Sequence, residues 1–215
     1  MEYKYIIMCG GEYPKWEQPR QLTEINGESL VSRTLRLLWA NGVHDISISS
    51  NDERFATFGV PLLKHPNSYR GYGYNNCTGY WVDAFYPLTV PACYIFGDVY
   101  FSPESIRTII DTETDDVMLF GSKPPFSPQY PKWYIEPFAF KVANQTHFRE
   151  SFERVKELDA AGQFYRKPIA WELWSVICGT NINKINGSYT NLCDYTSDID
   201  NPGEINQLLC KIPKE

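Results

Sequence analysis

The stretch CGGEYPKWEQPRQL, residues 9–22, sets two adjacent glycines, Gly10 and Gly11, ahead of two cations, Lys15 and Arg20. Glycine has no side chain, so successive backbone N–H groups at such a pair can close on an anion as a nest. Lys15 and Arg20 would then neutralise phosphate charge, in a chain whose formal net charge is −6. Cys9, immediately before the pair, belongs to the same bend. A plain strand-to-loop turn would look the same. The stretch is not a Walker A loop, which needs a Gly-Lys-Ser/Thr ending, nor is it Gly-x-Gly-x-x-Gly. Further on, Asp98 in IFGDVYF follows an apolar run and could reach a metal ion, or simply cap a turn. In SDIDNPGEINQLL, Asp198 and Asp200 share one side of an extended segment. The same residues also read as a helix start, with Asp200 or Asn201 as cap, Pro202 early and Glu204 in the first turn.

Other chemistries lack their residues. His44, His65 and His147 are scattered and no Gly-x-Ser-x-Gly elbow occurs, which argues against Ser/His and Cys/His hydrolases and a histidine metal site. The six cysteines show no Cys-x-x-Cys pair or zinc spacing and read as reduced thiols. The acidic balance argues against a nucleic-acid binder, which would need a basic stripe. No run approaches the ~18 apolar residues of a membrane span and no signal peptide is evident, so a cytoplasmic protein is expected.

The elements that must position these residues alternate. With 215 residues, 43 % hydrophobic and 21 % charged, the chain is globular and suits one domain, residues 1–215. YKYIIMC, HDISISSN, VPLLKHP, PACYIFGDVYF and DDVMLFGS read as strands. ESLVSRTLRLLWA, GYWVDAFYPL and SPESIRTIID read as helices, the last with Ser102 as N-cap and Pro103 at its first position. Such alternation predicts an α/β fold, a mostly parallel sheet with helices on both faces. Ligands of such a sheet bind beyond the carboxyl ends of its strands. Prolines and aromatics break the pattern at 121–137, where a small irregular or β-rich insertion is expected. HFRESFERVKELDAA and PIAWELWSVIC predict helices, NINKINGSYTNLCDY a hairpin turning at Asn-Gly, and DIDNPGEINQLL a turn and short helix.

Taken together, GG, a cation four positions after the second glycine, PRQL and INGESLVSRTL resemble the signature of nucleotidyltransferases that make nucleoside-diphosphate sugars or alcohols, including bacterial phosphocholine cytidylyltransferases. The resemblance implies a Rossmann-like, glycosyltransferase-A-like sheet and transfer of NMP from an NTP to a phosphate, releasing pyrophosphate. Lys15 then matches the family's Arg and Arg20 its Lys, both swaps that keep charge but change geometry. Asp98 matches the family's Mg²⁺-binding Asp, and Asp200 the second Asp of its C-terminal motif, with Asp198 beside it. The implied partners are a nucleoside triphosphate and a phosphorylated small-molecule acceptor, with Mg²⁺ as cofactor; the oligomeric state, a homodimer included, is open.

HPNSYRGYGYNNCTGYWVDAF falls in the family's base-recognition region, which makes Asn75, Asn76 and Thr78 candidates for the base. Asn offers donor and acceptor together and suits a cytosine or uracil edge, although Asn-rich turns also arise for conformational reasons. The lean is to CTP. The resemblance implies an acceptor-binding insertion at about residues 121–175 and makes Glu136 in IEPFAF an acceptor contact. Tyr165, Trp171 and Glu172 join it, because rings beside carboxylates suit an ammonium group; an amino-alcohol phosphate or phosphonate is expected, with a sugar phosphate as the other option. Trp171 and Trp174 on one helix face also read as core. Two alternatives stand: a related glycosyltransferase using a nucleotide sugar, and an inactive nucleotide-binding module.

Overall fold

The run KYIIM forms a strand whose Tyr5 and Ile7 pack into one apolar cluster and whose Ile6 and Met8 pack into another. Successive strand side chains point to opposite faces, so this strand is covered on both sides and is apolar almost throughout. The computed structural model describes residues 2–11, 16–70, 77–122, 136–184 and 188–213. Its strands are β1 (Lys4–Met8), β2 (Glu24–Ile25), β3 (Glu28–Ser29), β4 (Ile46–Ser49), β5 (Leu62–Leu63), β6 (Ala92–Phe96), β7 (Val99–Tyr100), β8 (Val117–Ser122), β9 (Glu136–Val142), β10 (Thr190–Asn191) and β11 (Ser197–Asp198). The α-helices are α1 (Leu30–Ala40), α2 (Pro103–Asp111), α3 (Gln145–Ala160), α4 (Ala170–Ile177) and α5 (Pro202–Leu209).

Among the described residues, seven strands form one sheet in the order β10-β8-β9-β6-β1-β4-β5. β1 lies parallel to β4 and β6, β5 parallel to β4, and β10 parallel to β8. β9 alone is reversed, antiparallel to both β6 and β8. Helices α1 and α2 cover one face through Val31, Leu35, Ile106 and Ile109; α3 and α4 cover the other through Phe148, Val155, Trp171 and Trp174. The mostly parallel α/β sheet with helices on both faces is the architecture the alternation predicts. No helix among the described residues is long and apolar enough to cross a membrane.

Local chemistry sets the helix starts. Ser102 Oγ accepts from the Ser105 backbone N–H at 2.9 Å with Pro103 first in α2, as its sequence predicts. Ser29 does the same for α1, accepting from the Ser32 N–H at 3.1 Å. Two expectations are corrected. GYWVDAFYPL makes only a 3₁₀ turn at Trp81–Ala84. Among the described residues of 181–195 no two-stranded hairpin is found: Thr190 and Asn191 pair in parallel with Phe120 and Gly121 at the sheet edge, where the β8 backbone offers the partners. The turn at Asn186-Gly187 lies outside the described residues, as do residues 123–135 of the expected insertion.

Candidate active site

The sheet topology decides what meets at its carboxyl edge. β1 and β6 end side by side, Met8 against Phe96, so the bends that follow them, Cys9-Gly10-Gly11 and Gly97-Asp98, touch. The Gly97 N–H donates to Met8 O at 3.0 Å. A Cβ on Gly97 would stand 2.7 Å from Cys9 Sγ and 2.8 Å from Met8 O, so only glycine allows this approach. Because β9 is reversed, it begins where β6 ends, which brings Glu136 to the same edge. β11 pairs antiparallel with β7, Asp198 opposite Val99, and the Ile199 N–H donates to Asp98 O at 3.1 Å. Asp98, Glu136, Asp198 and Asp200 thereby line one cleft of ≈ 1050 Å³ together with Cys9, Gly10, Gly11 and Arg20.

Arg20 occupies the middle of this group. It sits on a 3₁₀ turn, Arg20–Leu22, and is 7 % exposed. Its Nη2 pairs with Asp98 and its Nη1 with Asp200. The neighbouring Gln21 donates from Nε2 to Gly10 O at 3.1 Å, fixing the turn to the glycine bend. Trp16 Nε1 donates to Asp200 O at 3.3 Å. Both readings of DIDNPGE hold in part. Glu204 accepts from the Asp200 and Asn201 N–H groups at 2.8 and 3.1 Å, which starts α5 and leaves the Asp200 carboxylate turned to Arg20.

Burial governs protonation here. Glu136, 4 % exposed, is pushed up to about 7, first by burial and then by the charges of Asp200, Glu204 and Asp98, against a hydrogen bond with Asp198. Asp198 is raised well above its ordinary value by burial and by the charges of Glu136 and Asp200. These two carboxyls face each other and hold protons that an exposed pair would lose. Burial, with the Asp98 charge, also raises the Cys9 thiol, so Cys9 is a neutral wall of the cleft and not a nucleophile.

The structure brings together Cys9, Gly10, Gly11, Arg20, Asp98, Glu136, Asp198 and Asp200, and leaves other candidates apart. Lys15, Asn75 and Asn76 lie outside the described residues. Thr78 is not a lining residue; its backbone N and O pair with Arg70 at 2.8 and 3.0 Å. The expectation for Trp171, Tyr165 and Glu172 as acceptor contacts is corrected. Trp171 is 2 % exposed in the core under the sheet, as is Trp174 at 3 %, because burying such a ring is worth roughly 1.5–3 kcal/mol. Glu172 caps its own helix, accepting from the Ile169 N–H at 3.0 Å and Arg166 Nε at 2.6 Å. Tyr165 is 90 % exposed and outside the cleft.

Sequence reasoning missed Asn67, Trp81, Phe96 and Lys167, all of which line the cleft. The Trp81 and Phe96 rings meet edge-on at 5.7 Å. Asn67 has its Oδ1 committed to the Tyr69 N–H at 3.0 Å, while its Nδ2 lies 3.6 Å from where a Gly10 Cβ would be. HPNSYR gives no local signal for this, because the contact exists only once β5 is laid beside β4.

The carboxylates suit a small hard cation. Asp98 and Asp200 are all-oxygen donors within reach of one guanidinium and open to the cleft, with side chains 16 % and 39 % exposed. Among the described residues no group of three or more His, Cys, Asp or Glu is arranged as a metal cage. A cation held by these two would therefore draw its remaining ligands from substrate and water, which is the habit of Mg²⁺.

No protein-family model matches the sequence, and no curated protein does. Solved structures share the fold over nearly the whole chain. A proposed glucose-1-phosphate thymidylyltransferase from Bacillus anthracis superposes with a TM-score of 0.59 at 14 % identity, covering 100 % of this chain and 97 % of that one. The inositol-1-phosphate CTP transferase of T. maritima gives 0.55 at 13 %, covering 97 % and 95 %. The CTP:phosphocholine cytidylyltransferase of Streptococcus pneumoniae gives 0.55 at 14 %, covering 97 % and 98 %. The chain thus has the fold of nucleotidyltransferases, which the sequence motifs imply.

Proposed function

We propose that the protein is a nucleotidyltransferase that moves NMP, with CTP as the preferred donor, onto the phosphate of a small acceptor and releases pyrophosphate. The observation that carries this reading is Arg20, held against Asp98 and Asp200 beside the bare Gly10-Gly11 bend at the carboxyl edge of the sheet. Solved proteins of this fold that act on CTP add support.

The acceptor's phosphate oxygen attacks the α-phosphorus of the NTP in line and the pyrophosphate oxygen leaves. The nucleophile is already anionic, so no general base is needed, and rate comes from positioning and charge neutralisation. The glycine backbone and Lys15 hold the β- and γ-phosphates; Arg20 bridges the α-phosphate and the acceptor phosphate. Asp98 and Asp200, with Asp198 behind them, would hold Mg²⁺. Bound there, Mg²⁺ would withdraw charge from phosphate oxygens. Glu136 lines the same cleft as Trp81 and Phe96, whose rings suit an acceptor that carries an ammonium group, as an amino-alcohol phosphate does.

Incubation with each NTP, Mg²⁺ and a panel of phosphorylated acceptors tests this by pyrophosphate release. Pyrophosphate appears with CTP and an amino-alcohol phosphate if the reading is right. Release of nucleoside diphosphate from a nucleotide sugar would indicate a glycosyltransferase, and binding without turnover an inactive module.

A further inference from the structure

The guanidinium of Arg20 stands between the two carboxylates best placed to hold a divalent ion. We infer that Arg20 is an intramolecular occupant of that position: without nucleotide it holds Asp98 and Asp200, and a divalent ion binds there readily only once a triphosphate draws the guanidinium away. The inference rests on the nucleotidyl-transfer reading for the identity of the displacing anion.

Asp98 follows β6, whereas Asp200 lies 102 positions later on the segment between β11 and α5. Brought together unpartnered, the two carboxylates would repel one another at close range. Arg20 removes that repulsion from a buried position, using separate arms of one planar fork, Nη2 for Asp98 and Nη1 for Asp200. An ammonium is a point charge and lacks this fork geometry. A free divalent ion seeking the pair must dislodge the guanidinium, and a buried cation stripped of its partners is costly.

A triphosphate changes that balance. The turn that carries Arg20 is tied to the glycine bend through the Gln21–Gly10 hydrogen bond at 3.1 Å. Phosphates seated on the glycines therefore arrive beside the guanidinium and give it another anion. The carboxylates are then free for the ion that accompanies those phosphates. Metal and nucleotide binding become coupled through one side chain, and such couplings are typically 5- to 150-fold.

The test measures Mn²⁺ binding to the nucleotide-free protein by electron paramagnetic resonance, for wild type, Arg20→Ala and Arg20→Lys, with thermal melts confirming that each is folded. Arg20→Ala should bind Mn²⁺ at least about fivefold tighter than wild type, with Arg20→Lys in between. Adding Asp98→Asn to Arg20→Ala should abolish the gain. Equal affinity in wild type and Arg20→Ala, or no Mn²⁺ binding in either, overturns the inference. If Arg20→Ala does not fold, Arg20→Lys decides alone: affinity equal to wild type overturns the inference, and a gain supports it. No step requires turnover. A protein that gains Mn²⁺ affinity on losing Arg20 yet releases no pyrophosphate with any NTP supports the guanidinium's role while removing the transfer reading.

Discussion

Arg20 Nη1 is bonded to Asp200 Oδ1 across 180 positions of sequence, which ties the loop after β1 to the segment that leads into α5. Replacing Arg20 by Ala takes one guanidinium from both Asp98 and Asp200. Breaking a buried pair from one side typically costs about 3–5 kcal/mol; with Asp200 39 % exposed, the lower end is expected. Urea unfolding measures that loss. Pyrophosphate release from CTP plus acceptor should fall by at least about 100-fold, the scale of one lost transition-state donor. Unchanged turnover in a folded Arg20→Ala protein would remove Arg20 from the chemistry.

Two glycines of the site answer the same substitution differently. At Gly97 an added methyl would lie 2.7 Å from Cys9 Sγ and 2.8 Å from Met8 backbone oxygen. Gly97→Ala should therefore destabilise the fold by about 1–3 kcal/mol and shift Asp98, lowering kcat. At Gly10 the nearest atom to an added methyl is Asn67 Nδ2 at 3.6 Å, ordinary contact distance. Gly10→Ala should melt within about 0.5 kcal/mol of wild type, yet raise the KM for CTP, because the methyl would keep phosphates from the backbone. A Gly10→Ala protein with normal KM would show that no anion approaches there.

The same contrast shows which parts of the site were legible in the sequence. Gly10-Gly11, Arg20, Asp98 and Asp200 were nominated by short motifs whose resemblance to a family, more than any residue alone, singled them out, and the sheet order brings those motifs to one cleft. Trp171 and Trp174 misled because period alone cannot say whether an aromatic helix face meets ligand or sheet; here it meets Phe140 and its neighbours. Glu172 misled because a first-turn carboxylate serves its own helix before it serves a ligand. Asn67, Trp81 and Phe96 carried no signal, since each reaches the cleft through tertiary placement. The reversal of β9 that delivers Glu136 was likewise invisible: its apolar run would look the same in either direction.

Glu136 makes stability depend on pH in a stated direction. Its carboxyl titrates near an ordinary 4.5 when unfolded and about 7 when folded. Between those values the folded chain binds the extra proton, so the stabilisation is complete below pH 4.5 and is lost as pH rises through 7. The full effect is on the order of 3 kcal/mol as an upper bound. Other carboxylates add slopes of their own, so the quantity to measure is the difference between wild type and Glu136→Gln in urea unfolding at pH 5, 6 and 8. Wild type should lose stability relative to the variant across that range; parallel curves would mean that Glu136 is ionised throughout.

Asn67 offers a test of base choice. Its Oδ1 accepts from the Tyr69 N–H at 3.0 Å, and its backbone oxygen accepts from Arg70 Nη1 at 3.0 Å, so the amide is pinned with its NH₂ turned toward Gly10. The side chain therefore presents donors alone to the cleft. Cytosine offers acceptors at O2 and N3 and uracil at O2 and O4, whereas the uracil N3 carries a hydrogen; donors that meet ring position 3 favour cytosine. Asn67→Asp keeps the size but replaces those donors with acceptor oxygens. The variant should raise the KM for CTP by about tenfold, the scale of one lost hydrogen bond, and narrow the ratio of kcat/KM between CTP and UTP. Its melting should change little, because the residue is half-exposed. If the CTP-to-UTP ratio is the same in both proteins, the base is read elsewhere in the cleft.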